Sequence, residues 1–343
     1  FVPIAYIYII NHASFNPIEL LMKTKQLFFF FGITLFGILS SCSKDDDPVI
    51  KKPIPDPEIL SIIQNINEDT LKKYVVELES LGTRFALAPN RKDVAMFILR
   101  KFESFGYSAT LDSFEISVYY GGTLNVTWQY NVVATLEGTV SPDSISIIGG
   151  HHDCTVRASS GDPMVSSPGA NDNASGVATT LEVARVLKLA GVEPTNTIKF
   201  ITFAAEELGL FGSKDYARKA YSAHKKIKMM LNNDMVAFWS LPDTSNWTVN
   251  IIDYPNSYLL RTSAEQVCKT YTSLKTVTDN TYQNYSDSYP FHLNGFEAIF
   301  FISDADDPNY HTPMDLTTAC NFKFCREVAK VNCVLLLQNN FEL

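Results

Sequence analysis

No run of Lys and Arg interleaved with aromatic residues occurs in this chain of 343 residues, and basic side chains are the minority, 28 against 37 acidic, for a formal net charge of −9. Without a basic field to meet a phosphate backbone, nucleic acid is excluded as a partner. The six cysteines show no zinc-finger spacing; with Cys42 set aside, Cys154, Cys268, Cys320, Cys325 and Cys333 remain, an odd number of which at least one stays unpaired. There are no internal repeats. What is present is a hydrophobic content of 46%, enough for one large core over the about 285 residues that follow the N-terminal region.

That N-terminal region reads in three pieces. Residues 1–21 read as a non-native upstream extension, because a conventional start follows at Met22. Lys23 and Lys25 then form a basic head, Leu27 to Leu39 a short apolar stretch rich in Phe, and Leu39-Ser40-Ser41-Cys42 follows at once. The pattern over residues 22–41 resembles a bacterial lipoprotein signal with its lipobox. The resemblance implies cleavage before Cys42, a lipid on the cysteine sulfur as the sole membrane attachment, and residence in the cell envelope of a Gram-negative-type bacterium, anchored to the outer membrane. Residues 42–57, with Asp45-Asp46-Asp47 and Pro53, Pro55 and Pro57, are too polar and Pro-rich to pack and read as a flexible tether. A single domain is expected over residues 58–343.

Within it, helical spacing dominates from about Glu58 to Tyr107, where Val94, Phe97, Ile98 and Phe102 recur on one face. From Ala109 the period shortens, and Thr110 to Val118, Leu124 to Trp128 and Tyr130 to Leu136 read as three strands, the first two parted by Gly121-Gly122. Strand and helix then alternate: strands near 145–148, 198–203, 227–231, 249–252 and 298–302, helices near 175–189, 213–221, 257–271 and 322–338. Such alternation predicts an α/β fold, a three-layer α/β/α sandwich with a mixed, largely parallel central sheet.

Metal-type side chains stand just past the carboxyl ends of these strands, where α/β folds place ligands. Gly149-Gly150-His151-His152-Asp153 follows the strand at 145–148. Side-chain alternation puts His151 and Asp153 on one side and His152 on the other, so His151 reads as a ligand whose second N–H the Asp153 carboxylate accepts. Alone, this motif equally fits a hydrogen-bonded histidine at a strand end. Gly169-Ala170-Asn171-Asp172-Asn173-Ala174-Ser175-Gly176 wraps small, turn-forming residues around one aspartate ahead of a helix; a cap needs only one of them, and the glycines bring Asp172 close to something. Ala205-Glu206-Glu207-Leu208 sets two adjacent carboxylates among apolar neighbours, where unpaired charge is costly. A cation resolves one of them, and the other is left to hold the proton of a water. Asn233-Asp234-Met235 and Asn309-Tyr310-His311-Thr312-Pro313 complete the series. His151, Asp172, Glu207, Asp234 and His311, with Glu206 beside them, read as the site of a two-zinc hydrolase.

The whole order of motifs closely resembles the zinc aminopeptidase family that binds two co-catalytic zinc ions, a family related to bacterial leucyl aminopeptidases and glutaminyl cyclases. The likeness runs from about Leu71 to the C-terminus and includes Gly82-Thr83-Arg84, Tyr130-Asn131-Val132-Val133 and Ser286-Asp287-Ser288-Tyr289-Pro290-Phe291. It implies that Asp172 bridges two Zn2+ ions, His151 and Asp234 completing one and Glu207 and His311 the other, with a cis peptide between Asp172 and Asn173. Glu206 would be the general base and Tyr310 would polarise the scissile carbonyl. The expected substrates are peptides with a free N-terminus, losing one residue at a time. Cys154 departs from the Ser that relatives often carry there and is expected to pack rather than to bind metal. Three alternatives stay open: a glutaminyl cyclase working with one zinc, a carboxypeptidase or dipeptidase of the same clan, and a metal-free binding module.

Overall fold

The computed structural model describes residues 53–240 and 243–340; the leader sequence and Cys42 lie outside the described residues. The described chain enters through Asp56, whose carboxylate caps helix α1 (Pro57–Ile63) by accepting from the N–H groups of Glu58 and Ile59, and whose own N–H donates to the Tyr271 hydroxyl at 3.0 Å. Helices α2 (Glu68–Glu79) and α3 (Arg91–Ser104) follow, and then a long hairpin of β1 (Ser108–Tyr120) and β2 (Thr123–Leu136). Gly121 and Gly122 form its turn, both at positive φ, a region that only glycine enters without steric cost.

One expectation fails in the hairpin. Residues 124–128 and 130–136 are one strand, not two. Gln129 interrupts the apolar pattern, but it is buried and its Nε2 donates to the Ala86 carbonyl at 2.6 Å, so the strand runs through it.

Next come β3 (Ser141–His151), α4 (Ser175–Leu189), β4 (Asn196–Phe203), α5 (Phe211–Ser222), β5 (Lys226–Asn233), β6 (Thr248–Ile252), α6 (Tyr258–Tyr271), β7 (Lys275–Val277), α7 (Ser288–Leu293), β8 (Ala298–Ser303) and α8 (Phe322–Asn340). The eight strands lie in the order β1-β2-β4-β3-β5-β8-β6-β7. The central four, β4-β3-β5-β8, are mutually parallel, while β1, β2 and β6 join them through antiparallel pairings. The sheet is mixed, as expected.

Side-chain alternation divides the sheet into two faces. Ile198 and Phe200 of β4 and Ile299 and Phe301 of β8 join α1–α4, α6 and α8 in the main core, whereas Phe203 of β4 and Ile147 of β3 pack with Ala217 and Ala220 of α5 and Phe291 of α7. Each fully buried large apolar side chain contributes about 1.5–3 kcal/mol, which fixes the strands and hence their carboxyl ends. Those of β3, β4, β5 and β8 open on the same edge. The chain leaves β3 for β4 on one side and reaches β5 on the other, a topological switch point of the kind at which open α/β sheets bind ligands.

Candidate metal centre

Backbone from neighbouring strands presses on the turn that carries His151. A Cβ on Gly149 would lie 2.3 Å from the Ile201 carbonyl oxygen, and one on Gly150 2.4 Å from that of Asn233, so the β3 end tolerates only glycine there. The same Asn233 oxygen would stand 2.1 Å from a Cβ on Gly176, which clamps the start of α4 against β5.

The loop around Asp172 is held from three sides. Buried Arg84 donates to the carbonyls of His152, Pro168 and Gly169 at 2.9, 2.6 and 2.7 Å. The Asp315 carboxylate accepts from the N–H groups of Asn171 (2.7 Å) and Asp172 (3.0 Å), and Asn173 Nδ2 donates to the Asn233 carbonyl at 2.8 Å. The Asp172–Asn173 peptide is cis. Capping of α4 falls to Asn173, whose Oδ1 accepts from the Gly176 N–H at 2.9 Å. Asp172 is left free of that role.

Its two carboxylate oxygens face two histidines. Oδ1 lies 3.4 Å from His151 Nε2, and Oδ2 lies 3.0 Å from His311 Nε2. Asp234 Oδ1 approaches His151 Nε2 at 3.3 Å, and Glu207 Oε2 approaches His311 Nε2 at 3.0 Å. Two half-sites thus share Asp172. Glu206 Oε2 stands 4.0 Å from His151 Nε2, and ligand-type atoms of His151, Glu206 and Asp234, like those of His151, Asp172 and Glu207, lie within 4.8 Å of one another. The structure therefore brings together all six side chains singled out in the sequence, with Tyr310 stacked on His311 at a ring separation of 3.8 Å.

Asp153 is nearby but does something else. The Nδ1 of His151 bonds to the backbone carbonyl of Asp153 at 3.0 Å, while the carboxylate stays 3.8 Å away and instead accepts from the N–H groups of Glu206 (3.0 Å) and Glu207 (3.2 Å). The expected contact rested on strand alternation continuing past His151, but β3 ends at that residue and the chain turns. A carbonyl only accepts, so Nδ1 carries a proton and Nε2 is the nitrogen that would offer its lone pair to a cation. Asp153 fixes the backbone that aims both glutamates.

Several participants carried no legible signal in the sequence. The Ser286 hydroxyl donates to Asp234 Oδ2 at 2.6 Å, and Asn131 clasps the segment before Glu206, accepting from Ala204 N–H (3.0 Å) and donating to the Gly212 carbonyl (3.1 Å). Both belong to stretches noted only for resemblance. Fully buried Asp287 stands in the same stretch as Ser286 with no role assigned to it, and Asp315 carries no sequence signal. Cys154 is buried and donates to the Ser167 carbonyl, and all five cysteines in the described residues are free.

So many carboxylates in so little water perturb one another. Burial lowers the His151 pKa, but Asp234, Glu206 and Asp172 outweigh it and raise it well above normal; in the same way Asp172 and Glu207 raise His311 to about 10. Burial pushes Glu206 well above the carboxylate range despite His151, and burial with Asp172 raises Glu207 to about 7. Asp287 is likewise pushed up to about 7, chiefly by burial. His152 goes the other way, down to about 3, because burial, Arg84 and His151 all disfavour its charge.

The site opens into a cavity of about 380 Å³. A family model described as Peptidase family M28 matches residues 131–336. The chain is 32% identical over 206 residues to a probable zinc metalloprotease of Pyrenophora teres f. teres, covering 55% of this chain but only 44% of that protein. It is 28% identical over 281 residues to a probable leucine aminopeptidase of Arthroderma otae, covering 80% and 73%. Among solved structures, the aminopeptidase from Aneurinibacillus sp. strain AM-1 superposes with a TM-score of 0.67 at 18% identity over 82% of this chain and 96% of that one. The Fimbriiglobus ruber glutaminyl cyclase superposes with 0.65 at 18% identity over 79% and 95%. These two likenesses speak to the fold.

Proposed function

The chain belongs to peptidase family M28, and on that premise we propose that it is a zinc-dependent aminopeptidase that removes N-terminal residues from peptides. One observation carries the reading: Asp172 turns one oxygen to each of two histidine–carboxylate pairs. The residues fit a pair of divalent cations. His311 Nε2 lies 3.0 Å from two carboxylate oxygens without a directed hydrogen bond to either, and Glu207 Oε1 is buried with no partner at all. Buried polar atoms left in this way cost free energy unless a cation satisfies them.

Asp172 would be shared, with His151 and Asp234 holding one zinc and Glu207 and His311 the other. When bound, the pair supplies Lewis acidity that polarises the scissile carbonyl and acidifies a water. Glu206 takes the proton of the attacking water on its carboxylate and returns it to the leaving amine nitrogen. Tyr310, its phenol pKa raised by burial and the surrounding carboxylates, keeps its proton and donates to the carbonyl oxygen. An internal peptide bond brings no α-ammonium to this acidic cavity, which favours action at the N-terminus. The adjacent Glu206-Glu207 pair and the complete five-residue set favour the peptidase over a one-zinc cyclase.

Turnover of an unblocked leucyl anilide, with none of its N-acetylated form, is the expected result. Cleavage of the blocked substrate would contradict the exopeptidase assignment. Asp153→Asn is expected to lower kcat by roughly 10–100-fold, as loss of an orienting partner usually does, with an unchanged melting temperature in the zinc-loaded state; an unaltered kcat would show that the Asp153 contacts do not aim Glu206.

The metal-stripped protein should lose stability as pH rises. Glu207 and Asp287 are raised from ordinary carboxylate values to about 7, so the unfolded chain gives up those protons first and stability falls between about pH 4.5 and 7. His311, raised to about 10, adds loss of stability from about pH 6.5 up to 10. Thermal melts should therefore give a higher Tm at pH 5 than at pH 8 without metal, and zinc should raise Tm most at pH 8. A metal-free Tm that climbs over this range would refute the charge assignment.

For its location we propose a lipid anchor on Cys42, supported by the basic head, short apolar stretch and Leu39-Ser40-Ser41-Cys42 of the leader. Mass spectrometry of the mature N-terminus tests it, an unmodified Cys42 being the contrary result.

A further inference from the structure

The cavity is more acidic than two zinc ions require. Eight carboxylates line it and no Lys or Arg does. Two divalent cations balance Asp172, Glu206, Glu207 and Asp234, which leaves Asp279, Asp304, Asp306 and Asp307 without counter-charge in the lining. Two of those four are already engaged. Asp279 accepts from the Thr281 N–H at 3.0 Å, and Asp307 accepts from Asn171 Nδ2 and the Asn309 N–H, both at 2.8 Å. Asp304 and Asp306 are exposed, in the loop that follows β8.

A second, independent feature lines the same cavity. Tyr282 and Tyr285 also line the cavity, yet they are 53% and 72% exposed, two large rings set edge to face with centroids 6.4 Å apart. Phe300, 2% exposed, and Ile302, partly buried, line it too. A cavity lined both by apolar and aromatic side chains and by free carboxylates suits one kind of side chain, a long aliphatic stem with a cationic head. A leucine would use the walls only. Outside the lining, Arg157 sits over the Tyr310 ring at 5.2 Å.

Resting on the aminopeptidase reading, we infer that this cavity selects peptides whose first residue is arginine or lysine, the stem lying along Tyr282, Tyr285 and Ile302 and the head at Asp304 and Asp306. The chemistry of cleavage is unchanged; these two aspartates set specificity.

The test compares kcat/KM for arginyl, citrullyl and leucyl aminomethylcoumarins, citrulline being nearly isosteric with arginine but uncharged. Two partly exposed ion pairs should favour arginine over citrulline by about tenfold at an ionic strength of about 0.05 M, chiefly in KM, and less at about 0.5 M. In Asp304→Asn/Asp306→Asn the arginine-to-citrulline ratio should fall toward one. Both positions are exposed, and a melting curve checks that the variant is folded. A wild-type ratio near one, with leucyl substrate still turned over, overturns the inference and leaves the aminopeptidase reading standing. A preference that survives in the double variant overturns the assignment to these aspartates. Failure to cleave any of the three substrates sinks both together.

Discussion

Glu206→Gln is expected to lower kcat on an unblocked leucyl anilide by roughly 10²–10⁴-fold, the usual contribution of general acid–base catalysis, while zinc content and melting temperature stay close to wild type. Glutamine matches the shape of glutamate and can still hydrogen-bond to a water, but it cannot take the proton. The effect should be confined to the chemical step, because Glu206 is not among the five groups assigned to the metals. Its placement supports this division: its N–H is held at 3.0 Å by Asp153, and its carboxylate reaches to 4.0 Å from His151 Nε2. If the variant lost zinc along with activity, Glu206 would have to be counted as a ligand. Near-normal kcat with full zinc would remove it from the mechanism.

Asp172→Ala should be more damaging and damaging in another way. Each half-site takes one oxygen from Asp172, so its removal weakens both ions at once, whereas Asp234→Ala or Glu207→Ala strikes one. Zinc content should fall from two per chain to less than one, with activity below that of Glu206→Gln. The stabilisation by zinc, about 2.7 kcal/mol when free metal is about a hundred times Kd, should vanish. The metal-free melting temperature should also fall, because despite its burial His151 and His311 hold the Asp172 carboxyl well below the usual carboxylate range and both lose that partner. A variant that kept one tightly bound zinc would show that Asp172 serves a single ion.

The sequence revealed most where chemistry is local. Helix 175–189 has the bounds its periodicity gives, and His151, Glu207 and Asp234 stand at or just past the ends of apolar strands that any reading by period finds. Side-chain alternation worked inside β3 and failed two residues beyond it, which is why the Asp153 carboxylate was paired with the wrong donor. Gln129 broke β2 on paper because its partner, the Ala86 carbonyl, is 43 residues away. Asp315 and Asp287 share that difficulty, since an aspartate committed to a distant loop or buried near a metal centre looks in sequence like any other. Helix α7 and strand β7, six and three residues long, are too short to show a period.

The most direct measurement is the zinc stoichiometry of protein lacking residues 1–42, by elemental analysis during stepwise chelation, with turnover of the unblocked leucyl anilide followed in parallel. The account predicts about two zinc ions per chain, activity lost as they are withdrawn, and recovery when zinc is returned. One tightly held ion, or full turnover after both are gone, would contradict it.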